Sequence, residues 1–353
     1  MSDQRQSVLL TGGAGFIGSH LAEALLRRGF RLAIVDNLDS FYDTSLKKAN
    51  LEAISRVGNY EFYAVDICDM LQLSQIMALH QPEVVIHLAA CVGVRPSIQQ
   101  PQLYEQVNVA GTLNVLELCR RFHVHKFIFG SSSSVYGGMS PVPFSEKQGE
   151  LRPLSPYAAT KLAGEMLAHT YAHLFGLQVI CLRFFTVYGP RQRPDLAIRK
   201  FTALIEAGKP LPIFGDGSTA RDYTYVDDIV AGILASIDYK LKLPSGFAPF
   251  EVSNLGNSHP VKLTELIELL ESVTGRKAIC EWRPPQPGDS PMTWADTSKA
   301  NCVLGYRPYT SLEEGLTNFV EWYRNWAPAW KLTSDAPGEQ LAKSIRLDSG
   351  FAS

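Results

Sequence analysis

A tyrosine and a lysine four residues apart, in Tyr157-Ala-Ala-Thr-Lys161, have the types and the spacing for proton transfer. Residues four apart on a helix are neighbours on one face. An ammonium beside a phenol favours the phenolate, which lowers the pKa of the tyrosine and makes it a usable proton acceptor. Such pairs also occur as plain helix surface, so the significance of this one depends on what accompanies it.

The accompanying feature is a glycine-rich segment, Thr11-Gly-Gly-Ala-Gly-Phe-Ile-Gly-Ser19, between an apolar strand and a helix. Its spaced glycines Gly12, Gly15 and Gly18 let backbone approach a pyrophosphate, whose charge is met by helix N-terminal amides. Asp36 ends the next strand, where a carboxylate binds both hydroxyls of an adenosine ribose and repels a 2′-phosphate. The next residue is an asparagine instead of an arginine. We therefore predict a dinucleotide site that favours NAD over NADP.

Further cofactor contacts are expected after other strands. Asp66-Ile67 follows a strand and is compatible with an adenine-edge contact or with a plain turn. Asn108 opens a predicted helix and is either a cofactor contact or only its N-cap. The remaining predicted contacts are Phe16, Ile17, Asn37, Leu88, Ala89 and Ala90, together with Tyr157 and Lys161.

Strands and helices alternate along the first part of the chain. Apolar segments predict strands at Ser7–Thr11, Arg31–Asp36, Glu61–Val65, Glu83–Leu88, Lys126–Phe129, Gln178–Arg183 and Val252–Leu255. Helical patterns occur at Phe16–Gly29, Leu71–His80, Asn108–Phe122, Tyr157–Phe175, Asp227–Ile237, Leu263–Gly275 and Ser311–Trp326. We predict an α/β fold, a Rossmann-type doubly wound parallel sheet, with a smaller α/β substrate-binding lobe at the carboxyl edge of the sheet.

The predicted domain boundaries follow from this alternation. Residues 1–185 form the NAD-binding domain, and residues 223–257 return to it. Residues 186–222 and 258–332 form the nucleotide-sugar lobe, because this part is richer in proline and glycine and less regular. Residues 333–353 form a polar C-terminal tail.

The composition is that of an ordinary soluble enzyme. The chain has 353 residues, 46% hydrophobic and 19% charged, with a net charge of −2, so nothing indicates a nucleic-acid or membrane partner. The start is not signal-like, and no long apolar run occurs. The six cysteines show no C-x-x-C pair, and Cys91, Cys119 and Cys181 have apolar neighbours typical of buried thiols. We expect a cytoplasmic protein without a metal site.

These motifs together resemble an extended short-chain dehydrogenase/reductase of the nucleotide-sugar epimerase/dehydratase group, over residues 7–326. Besides the two motifs above, the similar segments are Ser131-Ser-Ser-Ser-Val-Tyr-Gly137, Arg221-Asp-Tyr-Thr-Tyr-Val-Asp-Asp228 and Pro287-Gly-Asp289. The resemblance implies that Tyr157 removes the proton of a sugar 4′-hydroxyl while hydride leaves C4′ for the nicotinamide. It also implies that Ser132 hydrogen-bonds the same oxygen and that Lys161 holds the ribose and lowers the pKa of Tyr157.

The residues after Ser132 discriminate among the reactions of the group. Dehydratases carry Asp-Glu and UDP-xylose synthases carry Glu at this place, whereas this chain has Ser133 and Ser134. Dehydration and decarboxylation therefore lose their expected acid/base, and release of a deoxysugar needs NADPH. Epimerisation remains, with one bound NAD taking and returning the hydride after the 4-keto sugar turns over.

The resemblance also implies how a UDP-sugar is held. Phe214 stacks on uracil, Arg221 binds the diphosphate through paired donors, and Asp289 contacts the uridine ribose. UDP-glucose 4-epimerases usually have an arginine where this chain has Gln286, which leaves one diphosphate contact open, with Arg283 as a substitute.

Substrate identity depends on the segment from Arg183 to Arg193. UDP-glucuronate 4-epimerases resemble this chain in Thr186, where most UDP-glucose and UDP-N-acetylglucosamine 4-epimerases have asparagine, and in Arg193-Pro-Asp195. A hydroxyl and a guanidinium near C5′ suit a carboxylate. Arg193 alternatively pairs with a neighbouring acid or a phosphate, and Arg191 is a second candidate for the sugar.

We therefore predict an NAD-dependent UDP-glucuronate 4-epimerase of polysaccharide biosynthesis. The alternatives are a UDP-glucose or UDP-N-acetylglucosamine 4-epimerase, a UDP-glucuronate decarboxylase, and a non-catalytic NAD-binding protein. The family further implies a homodimer in which the helices at 108–122 and 157–175 pair with their copies as a four-helix interface.

Overall fold

Strands and helices alternate through the protein. The structure, a computed structural model, describes residues 6–138, 140–241, 248–284 and 291–326. Its strands are β1 (Ser7–Thr11), β2 (Arg31–Val35), β3 (Glu61–Tyr63), β4 (Val84–His87), β5 (Lys126–Ser132), β6 (Gln178–Phe184), β7 (Thr186–Tyr188), β8 (Pro210–Phe214), β9 (Ala220–Tyr225), β10 (Phe250–Leu255), β11 (Pro260–Lys262) and β12 (Ile279–Arg283). Its helices are α1 (Phe16–Arg27), α2 (Thr44–Ser55), α3 (Met70–His80), α4 (Val94–Gln99), α5 (Pro101–Glu105), α6 (Thr112–Arg121), α7 (Pro156–Phe175), α8 (Ala197–Glu206), α9 (Val226–Asp238), α10 (Leu263–Thr274), α11 (Ser298–Leu304) and α12 (Leu312–Trp326).

Seven strands form one parallel sheet in the order β3-β2-β1-β4-β5-β6-β10. The chain moves outward through β2 and β3, then crosses back to β4 beside β1, so the strand order reverses between β1 and β4. Ligands of doubly wound sheets bind outside the carboxyl ends of the strands at such a reversal. The predicted Rossmann-type α/β fold is confirmed.

The sheet is covered on both faces because its strands alternate between two apolar sets. Val8 and Leu10 of β1 point to the face covered by α1 and α9, and Leu9 points to the face covered by α3, α6 and α7. Both sets are buried, so the first strand reads as a continuous apolar segment. The carboxyl ends of the strands are therefore the part of the sheet left for polar side chains.

The remaining strands form two small sheets. Strand β9 pairs in parallel with β7 and antiparallel with β11, and β8 pairs in parallel with β12. Helices α8, α10 and α12 pack in the same region, and their buried apolar residues belong to the cluster that covers the α1 face of the large sheet. The two-lobe division remains a prediction, and the predicted tail at 333–353 lies outside the described residues.

Several elements differ from the sequence prediction. Helix α2 was not predicted; it begins after Asp43, whose carboxylate accepts a hydrogen bond from the Ser45 amide at 2.9 Å. The predicted helix from Asn108 instead begins with a π-helical turn at Gln106–Gly111. In the described ranges, no helix combines the length and apolarity needed to cross a bilayer.

Candidate active site

Helix α7 carries the tyrosine and the lysine side by side at the carboxyl end of β5. Ser155 caps this helix by accepting a hydrogen bond from the Ala158 amide at 3.2 Å, and Pro156 occupies its first turn. Tyr157 lies one residue later, so its position depends on where the cap starts the helix. Lys161 follows one turn on, on the same face.

The Lys161 ammonium is buried and held by β5. Its Nζ donates to the carbonyl oxygen of Gly130 at 2.8 Å and lies 4.9 Å from the centre of the Phe129 ring. Burial lowers the pKa of Lys161 to about 8, while Glu165 acts to raise it. A β-carbon on Gly130 would lie 2.8 Å from the Leu88 side chain, so glycine here allows β5 to pack closely against Leu88.

The environment of Tyr157 differs from the expectation based on spacing alone. Burial raises its pKa above the usual value, and a hydrogen bond with Ser132 and the charge of Arg193 act to lower it. Its ring packs edge-on against Tyr104, with the ring centres 6.3 Å apart. The spacing of Tyr157 and Lys161 predicted that the lysine lowers the pKa of the tyrosine. In the structure, burial of the phenol is the largest effect and raises this pKa.

Ser132 closes the proton-transfer group at the last residue of β5. Its Oγ donates to Ser134 Oγ at 3.0 Å and accepts from the Ser134 amide at 3.2 Å. Ser133 and Ser134 begin a 3-10 turn that ends at Tyr136. The turn therefore presents hydroxyls where acids stand in dehydratases and decarboxylases.

The glycine-rich loop brings backbone unusually close together. Gly12 has a φ of +73°, and a β-carbon there would lie 2.7 Å from the Ala89 amide nitrogen. A β-carbon on Gly18 would lie 2.2 Å from the carbonyl oxygen of Gly12. Gly15 stands at the N-cap of α1 and supplies no capping side chain, so the amides at this helix end face the sheet edge where an anion can bind.

Asp36 follows the last residue of β2, and its carboxylate accepts more hydrogen bonds from the protein than the sequence predicted. Its carboxylate accepts hydrogen bonds from the amides of Ala14 and Leu38, at 3.2 and 2.9 Å, and from Lys47 Nζ at 3.3 Å. Lys47 comes from the unpredicted helix α2. The predicted repulsion of a 2′-phosphate by Asp36 is therefore offset in part by a neighbouring cation.

The other predicted cofactor residues line the same edge of the sheet. Asn37 donates to Asp66 at 2.8 Å, which joins the segments after β2 and β3. Ile67 is buried, and Phe16 and Ile17 form the first turn of α1. Leu88, Ala89 and Ala90 follow β4 beside the glycine loop, where Thr11 Oγ1 accepts from the Ala89 amide at 3.2 Å.

Asn108 does not cap a helix, so that alternative is wrong. It lies inside the π-helical turn and holds the backbone of Cys91 at both ends: its Oδ1 accepts from the Cys91 amide at 2.8 Å, and its Nδ2 donates to the Cys91 carbonyl at 2.9 Å. Nδ2 also donates to Thr160 Oγ1 at 3.0 Å. Asn108 thus connects the segment after β4 to α7.

The two candidate sugar arginines have different environments. Arg193 donates to Asp195 through Nε and Nη2, at 3.0 and 2.7 Å, and acts electrostatically on Tyr157. Arg191 instead pairs with Glu23 of α1 at 2.5 Å. Of the two arginines, Arg193 is the one whose charge acts on the pKa of Tyr157. Arg193 pairs with a neighbouring acid, and its contact with the sugar carboxylate stays a prediction.

The predicted nucleotide contacts lie on the small sheets. Phe214 ends β8, and Arg221 lies on β9, where its Nη1 donates to the Ala220 carbonyl at 2.9 Å. Thr186 begins β7 and pairs in register with Tyr223 of β9. Arg283 ends β12 opposite Phe214 and bonds Glu281, while Asp289 and Gln286 lie outside the described residues.

Three charged residues at this site were not predicted from the sequence. Arg95 of α4 lies over the Phe214 ring, with 5.7 Å between guanidinium carbon and ring centre, and so brings a cation to the predicted uracil site. Lys47 is beside Asp36, and Glu165 lies below Lys161 in α7. Only Glu165 had a sequence signal, because it follows Tyr157 and Lys161 at the same four-residue spacing.

Three features occur together at the carboxyl edge of the sheet. They are the uncapped N-terminus of α1, the hydroxyl, phenol and ammonium groups of Ser132, Tyr157 and Lys161, and a guanidinium whose charge acts on the phenol. The family model described as GDP-mannose 4,6 dehydratase matches residues 9–319. The chain belongs to this family. The resemblance to extended short-chain dehydrogenases/reductases is thereby confirmed.

Several similar proteins are named UDP-glucuronate 4-epimerases. The chain is 45% identical over 315 residues to a UDP-glucuronate 4-epimerase of Thermodesulfobacterium geofontis, covering 89% of this chain and 95% of the relative. It is 44% identical over 328 residues to UDP-glucuronate 4-epimerase 2 of Arabidopsis thaliana, covering 90% of this chain and 75% of the relative.

The similar solved structures include 4-epimerases of two different UDP-sugars. The UDP-glucuronic acid 4-epimerase of Bacillus cereus, in complex with UDP-glucuronic acid and NAD, is 38% identical with a TM-score of 0.83, covering 91% of this chain and 99% of that one. The UDP-glucose 4-epimerase of Thermotoga maritima, with UDP-glucose, is 35% identical with a TM-score of 0.82, at the same coverage of both chains. The similarity of the backbones therefore does not distinguish between the two substrates, so the side chains of the site must determine which one is bound.

Proposed function

We propose that this protein is an NAD-dependent UDP-glucuronate 4-epimerase, which interconverts UDP-glucuronate and UDP-galacturonate. The observation that carries the proposal is the guanidinium of Arg193, held by Asp195 within electrostatic reach of the Tyr157 phenol. A neutral hexose gives this cation no partner, whereas the carboxylate at C5′ of a hexuronate does. The curated UDP-glucuronate 4-epimerases that the chain resembles support the same substrate.

NAD fits the residues at the sheet edge. The first amides of α1 would hold a pyrophosphate. Gly12 and Gly18 allow the tight loop that precedes this helix, since a β-carbon on either would collide with the backbone of Ala89 or of Gly12. Asp36 and Lys47 border the place of the adenosine ribose. When bound, NAD supplies the hydride acceptor and returns the hydride within one catalytic cycle.

The protein's own residues move the proton. Tyr157 accepts the proton of the 4′-hydroxyl during oxidation and returns it on reduction, and Ser132 holds the same oxygen through its hydroxyl. Lys161 holds the cofactor ribose. Because burial alone raises the pKa of Tyr157, the base depends on the bonds and charges that act against burial: Ser132, Arg193 and the bound cofactor.

The turn after Ser132 favours epimerisation over elimination. Ser133 and Ser134 present hydroxyls, which cannot act as the carboxylate acid/base that dehydration requires. Arg193 also suppresses decarboxylation, since a 4-keto uronate loses CO2 when its carboxylate is free to rotate out of the sugar plane, and a guanidinium fork restrains it.

Turnover of the keto sugar requires an anchor that stays in place. Phe214 stacks on uracil, Arg221 binds the diphosphate and Asp289 holds the uridine ribose. Arg95 over Phe214 supplies the positive charge that Gln286 does not. A nucleotide held at several points keeps its position while the sugar rotates.

We also propose a cytoplasmic homodimer formed through α6 and α7. The support is the exposed apolar residues on these helices: Met166, Leu174 and Phe175 of α7 are 52%, 61% and 50% exposed, and Leu113 of α6 is 39% exposed. All six cysteines are unpaired thiols, which suits a reducing compartment. Cys119 and Cys181 are buried as expected, and Cys91 is only partly buried.

The direct test incubates purified protein with UDP-glucuronate and follows UDP-galacturonate by NMR. We expect interconversion by the wild type and a loss of at least about 100-fold in Tyr157→Phe, which removes the proton acceptor. Tyr60→Phe is the matched control, because its hydroxyl bonds only the Leu51 carbonyl away from the site. Turnover of UDP-glucose in place of UDP-glucuronate would reject the proposed substrate.

A further inference from the structure

A fully buried carboxylate lies below the proton-transfer group without touching it. Glu165 is 0% exposed and follows Lys161 by one turn of α7. It accepts three hydrogen bonds: from Ser131 Oγ at 2.5 Å, and from Arg183 through Nε at 2.9 Å and Nη2 at 2.7 Å. No step of the proposed reaction uses it.

The partners of Glu165 come from two adjacent strands of the sheet. Ser131 of β5 and Arg183 of β6 are paired in register, so their side chains leave the sheet together on the face covered by α7. Glu165 closes this triangle from the helix. One side chain thereby joins three elements at the level of the site.

Each of these elements carries a residue of the proposed mechanism. Ser131 immediately precedes Ser132, α7 carries Tyr157 and Lys161, and β6 continues to Thr186. The last residues of β5 contact α7 in succession: the Gly130 carbonyl binds Lys161, Ser131 binds Glu165, and Ser132 binds the phenol. The contact made by Ser131 is the one that involves no reacting group.

Stability alone does not account for a pair buried in this way. Arg183 is 5% exposed, and removing two charges from water costs several kcal/mol for each ion, so apolar residues of similar volume are often as stable. Apolar contacts lack the directionality of hydrogen bonds, so they do not fix the relative orientation of the packed elements. Two fixed nitrogen–oxygen bonds and a hydroxyl bond set the distance and the rotation of α7 relative to both strands.

We propose that Glu165 is a positioning residue, which locks β5, α7 and β6 together and thereby fixes Ser132, Tyr157 and Lys161 relative to one another. This inference rests on the proposed function for its effect on turnover. A proton acceptor displaced by a fraction of an ångström loses rate, because the transfer depends on geometry.

Glu165 also bears on the charge of Lys161. The groups that face this ammonium are Glu165 on its own helix, Cys91 after β4, Cys181 of β6 and His87 of β4. Of these groups, Glu165 has the largest effect in raising the pKa of Lys161, against the lowering caused by burial. Loss of its charge therefore lowers the pH at which the ammonium loses its proton.

The test is Glu165→Gln in the full-length protein, with two readouts. NMR of lysine labelled at the ε carbon, with the signal assigned through Lys161→Met, follows the Lys161 titration; we expect its midpoint to fall by about one pH unit. The rate of UDP-glucuronate epimerisation gives kcat, which we expect to fall about tenfold or more at unchanged UDP affinity. Glu206→Gln is the matched control, since Glu206 pairs with Arg276 and Arg324 far from α7.

Two further variants keep the test decisive. If Glu165→Gln does not fold because Arg183 is left unpaired, Glu165→Leu combined with Arg183→Met removes both charges, and we expect it to fold with the same two losses. Ser131→Ala keeps the ion pair and should lower kcat while leaving the Lys161 midpoint in place. A folded Glu165 variant with the wild-type midpoint or the wild-type kcat overturns the proposal. The titration needs no sugar, so it stands even if the proposed substrate fails.

Discussion

Arg193 donates both Nε and Nη2 to the carboxylate of Asp195, two residues further on. This contact occupies one edge of the guanidinium and leaves the edge formed by Nη1 and Nη2 for another acceptor. The arginine also lies over Phe41, 5.5 Å from the ring centre. Its fork is thus fixed before any substrate arrives, which reduces the entropy lost on binding a second carboxylate.

Asp195→Asn tests this preorganisation. The amide of asparagine carries no charge and has a donor NH2 in place of the second acceptor oxygen, so the paired contact with the two guanidinium nitrogens is lost. We expect KM for UDP-glucuronate to rise about tenfold while the affinity for UDP is unchanged. Steady-state kinetics and calorimetry measure the two quantities. Asp238→Asn, which breaks an exposed pair with Arg28, is the control. An equal loss of UDP affinity would mean that Asp195 acts on the whole site and not on the sugar carboxylate.

The nucleotide anchor gives a second prediction. Phe214→Ala removes the stacking surface, and we expect UDP affinity to fall by about 10- to 100-fold, in line with the usual worth of a base–aromatic stack. Arg95→Ala removes the cation above the same ring and should weaken UDP by about tenfold. Calorimetry with UDP measures both, and the affinity for NAD serves as the internal control because neither residue lies at α1. Unchanged UDP affinity in Phe214→Ala would place uracil elsewhere.

The backbone of the large sheet was predictable because its signals are local. Each strand of the sheet is a short apolar segment, and the glycine loop has one structural context, a strand followed by a helix. Tyr157 and Lys161 were found for the same reason: their spacing is a property of one helix. Errors of one or two residues at strand ends, as at Tyr63, changed nothing in the site.

Contacts between distant segments were not predictable. Lys47 belongs to a helix whose apolar pattern is weak, and nothing in its neighbourhood reveals that Asp36 lies 3.3 Å away. Arg95 meets Phe214 across more than one hundred residues of chain, and α4 is too short for periodicity to identify. The direction of the Tyr157 pKa also required the structure, since burial depends on everything packed around the ring.

A buried histidine, His87, and a partly buried one, His20, make stability depend on pH. Burial lowers the pKa of His20 from 6.5 to about 4 and that of His87 from 6.5 to about 3. Between about 6.5 and about 4 the unfolded chain therefore binds more protons than the folded one. The free energy of unfolding should fall as the pH falls through this window, by on the order of 1.4 kcal/mol per pH unit for each histidine.

Urea unfolding at a series of pH values measures this slope. His20→Gln keeps a side chain able to bond the Pro190 carbonyl but removes one titrating group, so the slope should become shallower by about one proton. His169→Gln, at an exposed position of α7, should leave the slope unchanged. Equal slopes for His20→Gln and wild type would show that His20 is not held neutral.

The proposed dimer face provides the last prediction. Leu174→Glu places a charge in the middle of the exposed apolar set on α7, where desolvation on association has no compensating partner. We expect the protein to change from dimer to monomer at micromolar concentration, with its thermal stability otherwise kept because the position is 61% exposed in the isolated chain. Sedimentation or light scattering measures the mass.

Leu79→Glu is the matched control, since Leu79 is exposed to a similar degree, 66%, on α3 at a different part of the surface. A wild-type protein that is already monomeric, or a Leu174→Glu dimer, would contradict the proposed interface and leave the apolar face of α7 to another partner.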